Sequence, residues 1–464
     1  MNAELVRRLL PGGPEDLLVW ADERATLVAG ELRALVDRWT KDLRAREVRA
    51  GDTVCLQMAS STTLLGALLA IWRLGARAMI VDYRTTAPEA ARLYALCRPS
   101  LLLTGAPGEH VVTEIEVEVR ALDEPVDVLP NCSLVQFSSG TGGQPKVVGR
   151  SAASLCAELD KYAAITHMPT AQDRLLLLCS PTHTWGMIGG LLHGLACSVP
   201  VLFPLAGHGA ATARAASALG ATAIFGVPAN FELMSRVQAP PSLPTLRIAV
   251  SAGELTRADL ADRFRDAYGV CLGQVYGLTE TGVVAADLTG ELPPPNVGWP
   301  VSDTLVRIAE DEVRLGLPQS PYLLPDGVER YVDGWLRTFD CGGLDPATGA
   351  LYLLGRSDSV VSLAGIKIDL TEIEYVLVAH PTVAAAVVTY GDVIEAHVQA
   401  EEGMAPNVDE LTRWCAQRLT AIKVPKRVFI SAGLLRTATG KAVRDPERIV
   451  AAQRGEADLR TATL

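Results

Sequence analysis

A chain of 464 residues is too long for one compact core of ordinary size, which excludes a single small domain and favours two to four lobes. Hydrophobic residues at 49% against 20% charged exclude long disordered tracts. The formal net charge of −11, without any Lys/Arg run, excludes a basic stripe for a polyanion, so nucleic acid is not expected as a partner.

The first eleven residues carry Arg7 and Arg8 but no apolar stretch or small-residue cleavage site, so the protein is expected in the cytoplasm. Amphipathic helices are predicted over 32–43 and 63–74, joined through Gly51-Asp52 and a buried-type strand. The longest apolar stretch, 64–81, is broken by Arg73 and Arg77 and reads as helix then strand, not as a membrane span. Further on, short apolar runs at 101–103, 175–178, 199–202, 223–225 and 248–251 alternate with helical patterns such as 151–164 and 210–219. This βαβ rhythm belongs to parallel sheets covered on both faces and predicts an α/β fold with a large N-terminal body. After Gly355 the style changes. Strands over 383–390 and 393–400, turning at Gly391-Asp392, are flanked by helices over about 370–380 and 408–419, a small α+β unit. The chain is therefore divided into an N-terminal body, 1–355, and a C-terminal domain, 356–464. Nine scattered cysteines without a C-x-x-C pair, and seven histidines without ligand spacing, fit buried thiols in a reducing compartment and no structural metal.

Four segments can carry chemistry. In FSSGTGGQPK, 137–146, glycines let backbone N–H groups converge on phosphate oxygens, Ser138, Ser139 and Thr141 add hydroxyls, and Lys146 adds charge. A Walker A loop would place a hydroxyl residue after the lysine, where Val147 stands. A glycine-rich surface turn is the plainer alternative. In QVYGLTETG, 274–282, Tyr276 offers a flat face to a purine, Gly277 allows close backbone approach, and Glu280 can hold Mg²⁺; alone, the same residues also suit a helix N-cap. In the third segment, from 336 to 374, Asp340 can accept two ribose hydroxyls and Arg356 can reach a phosphate or the ribose. The fourth, LRTATGKAVR, 435–444, presents Lys441 beside a glycine, either as a functional cation or as a solvated basic turn.

In this order, over nearly the whole chain, these segments resemble the signature motifs of the acyl-adenylate-forming superfamily of acyl- and aryl-CoA ligases, adenylation domains and luciferases. The stretches around Gly51-Asp52 and Gly75 to Asp82 are similar to that family's first motifs. The resemblance implies a phosphate loop of Ser138, Ser139, Gly140, Thr141, Gly142 and Lys146. It implies that Gln274, Tyr276, Thr279 and Glu280 serve adenine, phosphate and metal, and that Asp340 and Arg356 hold the ribose. His183 matches a position lining the junction of acid and nucleotide, although a lone histidine between apolar strands also suits a core. Asp358 falls on the family hinge, which implies a mobile C-terminal domain, and Lys441 on the lysine that bridges acid and α-phosphate. Four positions depart from the pattern: Gly142 for a hydroxyl residue, Val147 and Phe339 for glycines, and Ser362 for a lysine common in CoA ligases.

The implied activity is ATP- and Mg²⁺-dependent conversion of a small carboxylic acid into an acyl adenylate. Transfer to a thiol follows, either coenzyme A or the phosphopantetheine of an acyl carrier protein. No aspartate follows an aromatic in Thr182-His183-Thr184-Trp185 to meet an α-amino group, which favours a simple acid. Trp185, Gly186, Gly226, Ser251, Gly253 and Gly277 are expected to line an apolar slot for an aromatic or other compact acid. The stretch 422–426 resembles the CoA-ligase version. A P-loop NTPase and a silent nucleotide-binding module are the readings from other classes.

Overall fold

The computed structural model describes residues 2–10, 12–85, 87–122, 132–138, 146–325, 328–356, 359–363, 366–391, 393–419, 421–431, 433–436, 443 and 449. Two sheets dominate. In the smaller, Thr53–Met58 lies between Arg77–Val81 and Leu101–Gly105, parallel to both, and Leu134–Ser138 adds in parallel beyond Arg77–Val81. Lys146–Arg150 then pairs antiparallel with Leu134–Ser138, so the glycine-rich segment joins two strands and the helix begins only at Ala152.

The larger sheet has a parallel half, running Leu18–Ala21, Val201–Leu202, Leu175–Leu177, Ala223–Gly226, Ile248–Ala252 and Leu272–Leu278. From Gly282–Asp287 onward it turns antiparallel, through Asn296–Pro300, Leu351–Arg356, Trp335–Leu344, Glu312–Gly316 and Leu305–Ala309. Parallel pairing, as expected, thus forms the centre of the smaller sheet and the first half of the larger, while the second half of the larger is antiparallel. Turns with left-handed residues such as Asp303, Asp311 and Asp333 replace the crossover helices that a parallel connection requires.

Strand alternation explains the layering. Val54, Leu56, Leu175, Leu177 and Phe225 join one apolar cluster with Leu64, Leu68 and Trp72 of helix Thr62–Arg73 and Leu155 and Leu159 of helix Ala152–Ala164. These helices therefore lie between the sheets. The neighbouring strand residues point outward. Leu176, Ile224 and Ala249 pack under Phe231, Leu260 and Phe264 of the outer helices. On the far side of the smaller sheet, Cys55, Met79 and Val81 pack with Leu93 and Cys97 of helix Ala87–Cys97.

Past Arg356, Val360–Leu363 and Ile366–Asp369 form a separate ribbon. Val383–Tyr390, Ile394–Ala400 and Arg427–Ser431 form a three-stranded sheet covered by helices Leu370–Val378 and Val408–Ala416, with its own apolar cluster around Ile373, Leu377, Val388, Val398 and Leu411. These match the expected α+β elements; of the expected turn, Asp392 lies outside the described residues. No disulfide joins any of the nine cysteines, all of which are described. No helix among the described residues is long and apolar enough to cross a membrane.

Candidate active site

In open α/β sheets, ligands bind beyond the carboxyl ends of the parallel strands. Ser138 ends its strand, Asp82 follows Arg77–Val81, Gly226 ends Ala223–Gly226, and Tyr276 sits near the end of Leu272–Leu278. The carboxylate of Glu280 lies where the two sheets meet. Ser138 Oγ, from the smaller sheet, donates to Glu280 Oε1 at 2.8 Å, and the Tyr322 hydroxyl donates to the same oxygen at 3.1 Å. Arg330 Nη1 is 3.5 Å from it. Among the described residues, nothing is bonded to Oε2. Lys146, opposite Ser138 in the ladder, stands 3.2 Å from Glu329 Oε1 and over the Tyr322 ring at 5.7 Å. Burial, then the nearby Glu280 charge, pushes the Tyr322 hydroxyl upward, so it stays a proton donor at neutral pH.

One buried ion pair fixes both flanks of this cluster. Arg150, at the far end of the Lys146 strand, binds Glu158 Oε2 at 2.6 Å, and Glu158 Oε1 accepts from Val283 N at 3.2 Å. Gly282 between them has φ +74°, and a Cβ there would meet Glu158 Oε1 at 2.0 Å, so no larger residue fits.

A second cluster surrounds Asp340. The Tyr276 hydroxyl donates to Asp340 Oδ2, and Arg356 Nη1 donates to Oδ1 at 3.0 Å. Burial, reinforced by the Asp340 charge, raises the Tyr276 hydroxyl well above its ordinary value. Phe339, where the resembled motif has glycine, holds φ +63°, a conformation that favours glycine. Its N–H donates to Glu312 Oε1 at 2.9 Å, and its ring lies between the guanidinium groups of Arg330 at 5.0 Å and Arg337 at 4.9 Å. A backbone hydrogen bond and cation–π contacts thus hold a backbone shape that glycine would adopt freely.

His183 Nε2 is 3.5 Å from Asp82 Oδ2 and has no hydrogen-bond partner. Arg84 grips both Asp82 oxygens, through Nε and Nη2, at 2.9 Å each. Burial alone would raise the Asp82 carboxyl, but the His183 and Arg84 contacts outweigh it and hold it well below the usual range. Gln136 Oε1 accepts from Thr184 Oγ1 at 3.2 Å, tying the His183 segment to the Ser138 strand. Trp185 opens the π-helix Trp185–Leu192, stacks on Phe225 at 4.7 Å, and donates to the Gly226 carbonyl at 3.3 Å. Gly186 is needed for packing, since a Cβ there would meet the Ser180 carbonyl oxygen at 2.2 Å. Ser251 pairs with Gly226 on one side and Gln274 on the other, and its hydroxyl is buried without a partner. Gly253 has φ +91°, and Gly277 is exposed opposite Val283.

Sequence reasoning thus brings Ser138, Lys146 and Glu280 together, and likewise Tyr276, Asp340 and Arg356. Gln274 is occupied elsewhere: its amide donates to the Asn296 carbonyl at 2.8 Å and accepts from Thr256 N at 3.3 Å. Thr279 is half-buried next to Glu280. Ser139, Gly140, Thr141, Gly142, Asp358 and Lys441 lie outside the described residues. Tyr322, Arg330, Asp82 and Arg84 were missed; only Asp82 carried a signal, a carboxylate at the carboxyl end of a parallel strand.

A divalent cation of the Mg²⁺ type usually takes one or two carboxylates and completes its shell with phosphate and water. Glu280, with one oxygen unengaged among the described residues and two hydroxyl groups at the other, fits that donor set.

The family model described as AMP-binding enzyme matches residues 12–320, and that of the AMP-binding enzyme C-terminal domain matches residues 372–441. A probable CoA ligase of Humulus lupulus is 27% identical over 93% of this chain and 94% of its own length. The 2-succinylbenzoate–CoA ligase of Bacillus subtilis (strain 168) is 25% identical over 95% of each. In fold, the chain resembles the O-succinylbenzoate coenzyme A synthetase of Bacillus subtilis in complex with AMP. That likeness has a TM-score of 0.80 at 22% identity and covers 95% of this chain and 97% of the other.

Proposed function

The chain belongs to the AMP-binding enzyme family, and from that membership we propose that it is an acid–thiol ligase acting through an acyl adenylate. One observation within the site carries the reading furthest. Ser138, at the end of a strand of the smaller sheet, and Glu280, 142 residues on in the turn between two strands of the larger, are hydrogen-bonded at 2.8 Å, which supports a single nucleotide addressed from both segments.

A carboxylate oxygen of the acid attacks the α-phosphorus of ATP, and the bond from that phosphorus to the bridging oxygen of pyrophosphate breaks. Ser138 and Lys146, with Ser139, Gly140, Thr141 and Gly142, are assigned to the phosphates, and Lys441 to the charge that develops between acid and α-phosphate. Tyr276 and Thr279 border the base and phosphates, while Asp340, steadied by Tyr276 and Arg356, takes the ribose. Glu280 holds Mg²⁺, which when bound offsets charge on the leaving pyrophosphate. In the second half, a thiolate attacks the acyl carbon, the carbon–oxygen bond to AMP breaks, and AMP leaves. Fixed donors of this kind are typically worth roughly 10²- to 10³-fold each.

Coenzyme A is the acceptor, as in the named CoA ligases that the chain resembles, with a carrier-protein phosphopantetheine as the alternative. An aromatic or other compact acid suits the stack of Trp185 on Phe225. Asp82, the carboxylate near His183, is held through both oxygens by Arg84 and is no free counter-ion for an α-amino group. Residues 1–355 form the catalytic body and 356–464 a lid that turns at Asp358 between the half-reactions. Nine cysteines without a disulfide suit the reducing cytoplasm. Acid-dependent exchange of labelled pyrophosphate into ATP, run over a panel of aromatic, aliphatic and amino acids, tests the reading. Exchange with no acid of the panel, or release of ADP in place of AMP, refutes it.

A further inference from the structure

Arg330 belongs to none of the sequence motifs, yet it is only 6% exposed and stands beside Glu280. Its Nε donates to the Arg337 carbonyl at 3.2 Å and its Nη2 to the Thr338 carbonyl at 3.1 Å, while the Phe339 ring lies against the guanidinium at 5.0 Å. The guanidinium is therefore held by the strand that carries Asp340, independently of Glu280.

Resting on the reading of Glu280 as the metal carboxylate, we propose that Arg330 is a resident counter-charge that makes metal binding conditional on the nucleotide. The two side chains are 3% and 7% exposed, so Glu280 and Arg330 form a buried pair of zero net charge. The next charged pair, Lys146 with Glu329, is also balanced. A divalent cation arriving alone meets no surplus negative charge among the described residues, and it is repelled by the fixed guanidinium. A bound triphosphate reverses the balance and supplies the oxygens that such a cation prefers. The geometry leaves room for this: Ser138, Tyr322 and Arg330 all address Oε1, and no bond to Oε2 is made among the described residues. Arg330 is thus a positioning residue: it stays paired with Glu280 and aims it before the metal enters, and acts through that carboxylate.

Mn²⁺ binding to the full chain, read by electron paramagnetic resonance without acid, tests this. Wild type should take up no stoichiometric Mn²⁺ until ATP is added. Arg330→Met should bind one Mn²⁺ per chain without nucleotide, tighter than wild type by roughly ten-fold or more, and Arg330→Met combined with Glu280→Gln should lose it. Arg330→Gln, which keeps a donor for the Thr338 carbonyl, serves if the methionine variant lacks a cooperative melt. Nucleotide-free wild type that binds one Mn²⁺, removed by Glu280→Gln, overturns the proposal. A folded Arg330 variant that gains no Mn²⁺ overturns it equally. Acid-dependent pyrophosphate exchange by wild type separates the cases: exchange without the Arg330 effect sinks only the counter-charge, whereas no exchange sinks the adenylation reading.

Discussion

Replacing Phe339 by glycine and, separately, by alanine divides the contribution of its backbone from that of its ring. At φ +63° an L-residue carries roughly 1–2 kcal/mol of left-handed strain, which glycine escapes. Glycine elsewhere costs about 0.5–1 kcal/mol relative to alanine through chain entropy, so here the usual order should reverse, with Phe339→Gly more stable than Phe339→Ala by about 0.5–1 kcal/mol. Both variants lose the ring between Arg330 at 5.0 Å and Arg337 at 4.9 Å. At about 0.5–1 kcal/mol per cation–π contact, alanine should fall about 1–2 kcal/mol below wild type, before any loss of ring burial. Urea midpoints of the three proteins, with equal slopes, give these differences directly. An alanine variant as stable as the glycine variant would refute the claim that strain is stored beside Asp340.

Glu280→Gln should raise the Mg²⁺ concentration needed for half-maximal pyrophosphate exchange, since a neutral amide is a weaker ligand for a hard cation; an unchanged metal titration removes Glu280 from the site. Lys441→Ala should slow acyl-adenylate formation by roughly 10²- to 10³-fold while sparing thioester formation from supplied acyl adenylate, and parallel loss in both halves counts against its role. The Asp82 carboxyl is held well below the ordinary aspartate value of 3.8 in the folded chain. Its stabilisation is therefore complete above that value and fades as pH falls toward the lowered one. Asp82→Asn should accordingly be less stable than wild type at pH 7, with urea midpoints that converge below about pH 4; a gap independent of pH would contradict the Arg84 pairing.

Strong periodicity made the parallel half of the large sheet legible, because strands such as Ala223–Gly226 and Ile248–Ala252 are short apolar runs set off by helical patterns. The antiparallel half was not, since Leu305–Ala309 is partly exposed and offers no continuous apolar face. Residue chemistry also located the Ser138, Glu280, Asp340 and Arg356 constellation, but it could not supply partners. Arg330 and Tyr322 reach Glu280 only because the antiparallel strands fold back, and nothing local in GVERYVDGW or SPYLLP encodes that return. Gln274 shows the opposite failure: a polar residue inside a motif whose amide is spent on neighbouring backbone.

The hydrogen bond from Ser138 to Glu280 runs from a strand of the smaller sheet to a turn of the larger. If the proposed site is right, neither sheet alone carries all of it, so a partly folded chain with its sheets undocked should bind ATP poorly. Occupancy becomes a cross-strut: a ligand seen only by the docked state adds about 2.7 kcal/mol to it at a hundred times its dissociation constant. In a cell rich in ATP, resistance of this chain to proteolysis would follow the nucleotide supply, and starvation would loosen the seam before any strand frayed.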